Sequence, residues 1–558
     1  MSHTNNTIQE PSSDAQAGNG PLHPSVFSPV TMICGIILAV FGAIIGMQLI
    51  VTLGISANTS IIGALCAILL SRIPLRILGR FRSLDQQNLL QTVTSAATFG
   101  AANALMIPIG IPFLMGKPEL VIPLLTGVCI AVVIDFTMLY QVFNSKPFPA
   151  TGTWPAGVAT AEALWAGDQG GRKVMFLGLG IVAGVGGAAS FGLPMSAAGV
   201  ALIGNIFALT MFGIGLLVRG YSNMIAGLEP FRSFFPDGLD IMKIYLPHGL
   251  MIGAGVVSLF QVAAQIRQSP GSSSLDLQED SLIDRSSSHF KRVVSMGFPA
   301  YMLAALSLAV IAGLYTHMSI YQIVGFVFYA ACAAYICEMI VGIAAMHSGW
   351  FPAFAVSLIN LIVGMLLGFP PIALAMLIGF CTAIGPAFAD LGFDFKTGFL
   401  IRGSNRNRAY EFAGRREQYF AALLGFAVSA AVVAIFHSHF FDRNLVPPVD
   451  RVFVSTIEGG ASSDVAIKLA LWAVPGAFIQ WIGGSKRQLG ILLGTGLLIN
   501  FPIAGWVVLT TLVIRFCIER KWGTRMSSEV SAFAGGMIAG DAIYTFFSSV
   551  FKASFKSS

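Results

Sequence analysis

The chain has 558 residues, of which 55% are hydrophobic and 10% charged, with a formal net charge of +6 and a mean hydropathy of +0.78. Average soluble domains carry about 25% charged residues, so a soluble globular fold is excluded. Its seven cysteines lack CxxC spacing, and no HExxH, phosphate-binding P-loop or GxSxG occurs, which removes the usual zinc, nucleotide-hydrolysing and serine-hydrolase signatures.

Residues 1–26 are polar, contain Pro11, Pro21 and Pro24, and lack lysine and arginine. A cleavable signal peptide starts basic and continues apolar, so this stretch is expected to be a disordered cytoplasmic tail. Apolar runs of about 20 residues, long enough to cross a hydrocarbon core, then recur. Phe27 to Val51, Ile55 to Ile73, Leu120 to Phe143, Val293 to Tyr315 and Tyr321 to Met346 are the clearest. About 14 to 16 transmembrane or re-entrant helices are expected, an all-α polytopic membrane protein. Arg72, Arg76, Arg80 and Arg82 separate the second and third crossings, which places that loop and the N-terminus in the cytoplasm.

The third crossing opens with Gln87, Asn88, Gln91, Thr92 and Thr94, groups able to read a polar ligand or to satisfy a packed helix interface. Asp135 stands alone in the next long run. Thr153 to Gly167 is too short for a normal span and suits a re-entrant helix. Thr153 is placed to cap it, Pro155 to start it, and Glu162 lies two turns in beyond Trp154. Amides at such a start suit an anionic substrate group. A re-entrant segment here would also reconcile Arg172, Lys173, Arg219 and Lys243 with the positive-inside rule.

Residues 267–292, with eight serines, four acids and Pro270, read as a flexible soluble linker. It separates a first membrane half, 27–266, from a second, 293–552, and the near-equal halves suggest an internal duplication. Glu338 and Asp541 are further acids inside apolar runs. A carboxylate at membrane depth is expensive, so Asp135, Glu338 and Asp541 are the proton-coupling candidates, with a structural hydrogen bond as the alternative for each. His248 and His347 are weaker candidates. Asp390, Asp394 and Lys396 sit where an apolar run ends. Asp390 reads as a solvated helix end, Asp394 and Lys396 as interfacial or re-entrant. Arg402, Arg406, Arg408, Arg415 and Arg416, and later Lys486 and Arg487, read as cytoplasmic loop charge. Glycines four apart, such as Gly180/Gly184 and Gly249/Gly253, predict close helix contacts.

Four segments resemble the oligopeptide transporter superfamily, which includes the plant yellow stripe-like metal-chelate transporters. Gln87-Asn88-Leu89-Leu90-Gln91-Thr92-Val93-Thr94-Ser95-Ala96 is similar to its E-N-x-x-Q-T-x-x-S-A run, and Trp154-Pro155-Ala156-Gly157-Val158-Ala159-Thr160-Ala161 to its Y-P-x-G-x-A-x-A segment. Asp394-Phe395-Lys396-Thr397-Gly398 resembles D-x-K-T-G, and Gly535 to Ala542 the late G-x-x-A-G-E-A-L. Gln87, Ala156 and Asp541 depart from the acids common at those places; losing two of them bears on metal-chelate specificity. The resemblance implies secondary active uptake, usually proton-driven, of small peptides or peptide-like metal chelates.

On these grounds the chain is expected to be a proton-coupled symporter and an integral multi-pass protein of the cell membrane, in a bacterium the inner one. Gln87, Asn88, Gln91, Trp154, Glu162, Asp394 and Lys396 are expected on the substrate path. No cofactor, resident metal or nucleic acid is expected. The partners are a small peptide or chelate, protons and the bilayer, with a homo-oligomer left open. The competing readings are a membrane-embedded enzyme acting on lipid-linked substrates and a passive channel.

Overall fold

A computed structural model describes residues 23–54, 59–152, 154–168, 172–226, 228–229, 240–268, 285–348, 353–404, 406–461, 463–526, 529–538, 540, 541, 544 and 548. The structure is helical throughout and contains no β-strand among the described residues. Nine helical segments are long and apolar enough to cross a membrane, and five shorter apolar helices accompany them among the described residues. This bears out the expected all-α polytopic architecture. Residues 1–22 of the expected tail, residues 269–284 of the expected linker and the proposed cap Thr153 lie outside the described residues, as does the side chain of His347.

The helices group into two packed bodies, and each body draws on both sides of the 267–292 segment. In the first, Pro29–Leu53, Leu84–Phe99 and Val121–Val142 pack with Ser287–Ile311, Pro386–Ile401 and Arg408–Phe441. In the second, Ile206–Ala226 and Leu246–Gln268 pack with Ser463–Arg487, Leu489–Leu498 and Pro502–Trp522. The sequence halves are therefore interleaved in space. Small residues permit this: a Cβ on Gly249 or Gly253 would run into the backbone of Leu469 or Ala473 on the facing helix. Without a hydrophobic drive between helices in lipid, such close approach supplies the packing energy.

Two spans at the centre of the first body are broken. Leu84–Phe99 passes through a π-helical turn at Gly100–Met106 before continuing as Ile107–Leu114. Pro371–Ala383 ends at Ile384 and Gly385, and Pro386–Ile401 begins immediately after. Gly385 adopts φ 87°, ψ −58°, a conformation that side chains resist, and Pro386 then sets the first helical φ without sacrificing a bonded N–H. Broken helices at membrane depth are tolerated only where protein satisfies their freed backbone groups. The apolar cores of these two spans are accordingly 83% and 94% buried.

Candidate functional site

Pro386–Ile401 carries Asp390 and Asp394 one helical turn apart, so both carboxyls lie on one face. That face meets Thr59–Ser71 and Leu84–Phe99. Asp394 Oδ1 accepts from Gln91 Nε2 at 2.5 Å and from Ser60 Oγ at 3.1 Å. Asp390 Oδ1 accepts from Thr59 Oγ1 at 3.1 Å, and Ser95 Oγ lies 3.4 Å from both Asp390 oxygens. Asp394 Oδ2 is buried without a partner among the described residues. Asp390 is thus buried in the second turn of a helix, and the reading of it as a solvated end is corrected. The apolar run does not stop there; the helix continues through Asp394, Lys396 and Thr397 to Ile401.

The network extends toward the end of this helix. Asn88 Nδ2 donates to Gln91 Oε1 at 3.0 Å, and Gln418 Nε2 donates to the Asp394 carbonyl at 2.7 Å. Arg402 donates to Gln418 Oε1 at 2.9 Å and pairs with Glu411, Nε to Oε2 2.8 Å and Nη2 to Oε1 3.1 Å. Arg415 reaches the same Glu411 at 3.2 Å, and these three side chains are fully buried. Arg402 and Arg415 therefore do not belong to a solvated loop, as their clustering with other arginines suggested. Two charges of one sign can be buried together here because Glu411 lies between them.

Lys396 Nζ donates to the Ala150 carbonyl at 2.8 Å and lies 5.7 Å from the centre of the Phe399 ring. Thr397 Oγ1 donates to the Gly157 or Phe393 carbonyl, both at 3.0 Å. Pro155–Asp168 is the short helix expected after Trp154, and it is not among the candidate spans. Gly157 lets it touch the 386–401 helix: a Cβ there would meet the Phe393 carbonyl and Lys396. Trp154 is buried, with its Nε1 donating to the Pro149 carbonyl at 3.1 Å, whereas Glu162 is exposed. Gln87 is buried with Oε1 unpartnered among the described residues.

A second carboxyl pair lies at the helix break. Tyr301 Oη is 3.1 Å from Glu338 Oε2 and 3.4 Å from Asp135 Oδ1. The backbone N–H groups of Gly385 and Phe388 point at Asp135, so this carboxyl serves the orphan donors at the start of the 386–401 helix. Asp135 Oδ2 and Glu338 Oε1 have no partner, and no lysine or arginine pairs with either acid among the described residues. Sequence alone did not single out Tyr301 or Gln418; Tyr301 is a polar side chain inside an apolar stretch, the same signal that marked the acids, whereas Gln418 follows Arg415, Arg416 and Glu417 and looks like part of a charged run.

The third feature is a cavity of about 960 Å³ between the two bodies. The first body contributes Gln48 to Leu53 and Asn444 to Arg451; the second contributes Ala188 to Ser196, Arg219, Leu498 to Phe501 and Asp541. Gln48 and Asn444 lie at the C-terminal ends of Pro29–Leu53 and Arg408–Phe441, whereas the Arg402–Glu411–Arg415 network sits by the N-terminal end of the latter. The cavity and the network therefore occupy opposite ends of the first body. Of the residues expected on the path or in coupling, Asp541 alone is among those lining the cavity; its Oδ2 accepts from the Ser196 N–H at 2.7 Å, at the start of Met195–Ile203. Arg219 and Arg451, which no local spacing marks, are the other charged lining residues.

A polytopic helical bundle with a cavity between two bodies, each built from both sequence halves, fits the architecture of a transporter. Its sequence matches the family described as OPT oligopeptide transporter protein over residues 26–225 and 179–552. The chain belongs to that family of membrane transporters. Neither a curated protein nor a solved structure shows significant similarity to it.

Proposed function

We propose that this protein is a proton-coupled symporter that carries small oligopeptides or peptide-like metal chelates into the cell across its surrounding membrane, in a bacterium the inner one. The observation that carries this reading is the interbody cavity at one end of the first body. At the opposite end Pro155–Asp168 packs on Thr59–Ser71 and Pro386–Ile401 through Gly157 and Gly167. Arg72 and Arg80 bond to Gly167 and Ser28 at that opposite end, which the positive-inside rule turns to the cytoplasm. The cavity then faces outward, and Arg219 in its lining is not the cytoplasmic charge expected of it.

Coupling rests on the two carboxyl clusters. Both engage the same helix, Asp135 with Glu338 at its start and Asp390 with Asp394 along its face. A buried carboxyl without a cationic partner is far cheaper when it holds a proton. Proton entry or loss at Glu338 would change what Tyr301 and Asp135 offer to the Gly385 break, and so bias the helix that carries Asp394 and Lys396. Uptake by purified protein in liposomes, screened over di- to tetrapeptides and iron chelates, tests the substrate class. Retention of neither peptide nor chelate under any gradient would overturn it.

A further inference from the structure

The cavity is electrostatically unbalanced on one face. Arg219 and Arg451 line it, and each lies close enough to His248 for its charge to act there. The cavity also holds the Asp541 carboxyl, one acid against two arginines, whose Oδ2 accepts from the Ser196 N–H; the acceptors nearest the arginines are weak. Arg219 Nη1 is 3.7 Å from Asp240, whose side chain is 42% exposed and therefore screened by water. Arg451 Nη2 donates to a neutral acceptor, Asn444 Oδ1, at 3.0 Å. Asp450, next to Arg451 in sequence, is near enough for its charge to act on Arg451, but it makes no ion pair with it: its Oδ2 lies where a Cβ on Gly110 would be, and both its oxygens lack a hydrogen-bond partner among the described residues. Arg219 Nε and His248 Nδ1 are buried and lack partners among the described residues. A buried donor left unmet is costly, so this side of the cavity carries more positive charge and donor capacity than the protein's own acceptors take up.

We propose that Arg219 and Arg451 form the carboxylate-binding face of this cavity, taking either the C-terminus of a peptide or a carboxylate arm of an amino-acid-derived chelate. This inference rests on the transport reading above and names the specificity residues of its site. A planar guanidinium matches a carboxylate with two parallel N–H donors, a match a single ammonium cannot give. The apolar lining contributed by Val51, Leu193, Leu498 and Phe501 suits small aliphatic side chains beside it.

The test compares acid with amide. Purified full-length protein in liposomes is given trialanine or trialanine C-terminal amide, and in a parallel arm iron(III) iminodiacetate or iron(III) with iminodiacetamide. Removing the charge should lower wild-type uptake on the order of tenfold or more in whichever arm supplies the substrate. Arg451→Gln and Arg219→Gln should each bring acid and amide close to equal, by loss of acid uptake, and Arg451→Lys should restore only part of the difference. Equal wild-type uptake of acid and amide overturns the proposal and leaves the transport reading intact. So does full discrimination in both glutamine variants. Failure of wild-type protein to take up any acid in either arm overturns the proposal together with the substrate class.

Discussion

Glu411 holds together a buried cluster of three charges, with Arg402 and Arg415, and its removal has a predictable cost. Its carboxylate receives Arg402 at 2.8 and 3.1 Å and Arg415 at 3.2 Å, with no solvent exposure of the three side chains. In Glu411→Gln the shape survives, but two buried guanidinium groups lose their shared counter-charge. Arg402 retains Gln418 Oε1 at 2.9 Å, and Arg415 keeps the rings of Phe143 and Phe412 at 5.1 and 5.2 Å. Breaking a buried pair by removing one partner costs about 3–5 kcal/mol. Because the unfolding entropy scales with length, a chain of this size shifts by on the order of 1 °C per kcal/mol, and the melting temperature should fall about 3–4 °C. The comparison is Arg416→Gln, which removes an ion pair of 3.6 Å from a side chain that is 60% exposed, worth about 0–1 kcal/mol. Both variants are measured by thermal unfolding of detergent-purified protein. Equal melting temperatures would refute the claim that this cluster is a buried structural lock.

Glu338→Gln should reduce proton-driven uptake more than it reduces protein yield, because it leaves Tyr301 a hydrogen-bond partner while removing a protonatable group; parallel losses would mark Glu338 as structural. Lys396→Met removes the donor to the Ala150 carbonyl and should impair uptake several-fold at matched surface expression, whereas a normal rate would leave Lys396 only a marker of topology. His23, ahead of the first span, is held below its ordinary value of 6.5 by burial and by the Arg402 charge, against the opposing pull of Asp85 and Glu417. A depressed histidine contributes stability above about pH 6.5 that is lost as pH falls through its folded value. Protease access to residues near His23 should therefore rise on acidification, and His23→Gln should flatten that response; a steep response in the variant would remove His23 from the explanation.

Much of the fold was legible because it is written locally. Helix length and hydropathy mark the spans, and glycines four apart mark the close contacts; the break at Gly385-Pro386 went unread. The polar face of the site was legible only in part: Asp394 and Lys396 stood out, whereas Asp390 was read as a solvated helix end although its spacing of four puts it on one face with Asp394. What no local pattern reveals is which donors meet them: Ser60 and Gln91 lie some 300 positions away in sequence. Clustered arginines look like loop charge until Glu411, on the next helix, is seen between two of them. The cavity was invisible for the most general reason. It is lined by several short segments scattered from Gln48 to Ser548, and Arg219 and Arg451 acquire meaning only when the two bodies bring them to one face.

Trialanine uptake into liposomes containing the purified protein, under an inward proton gradient with and without a protonophore, tests the central claim of coupling. Trialanine should accumulate above the external concentration, and that accumulation should collapse when the protonophore is added. Accumulation indifferent to the protonophore, or mere equilibration whatever the gradient, would contradict it.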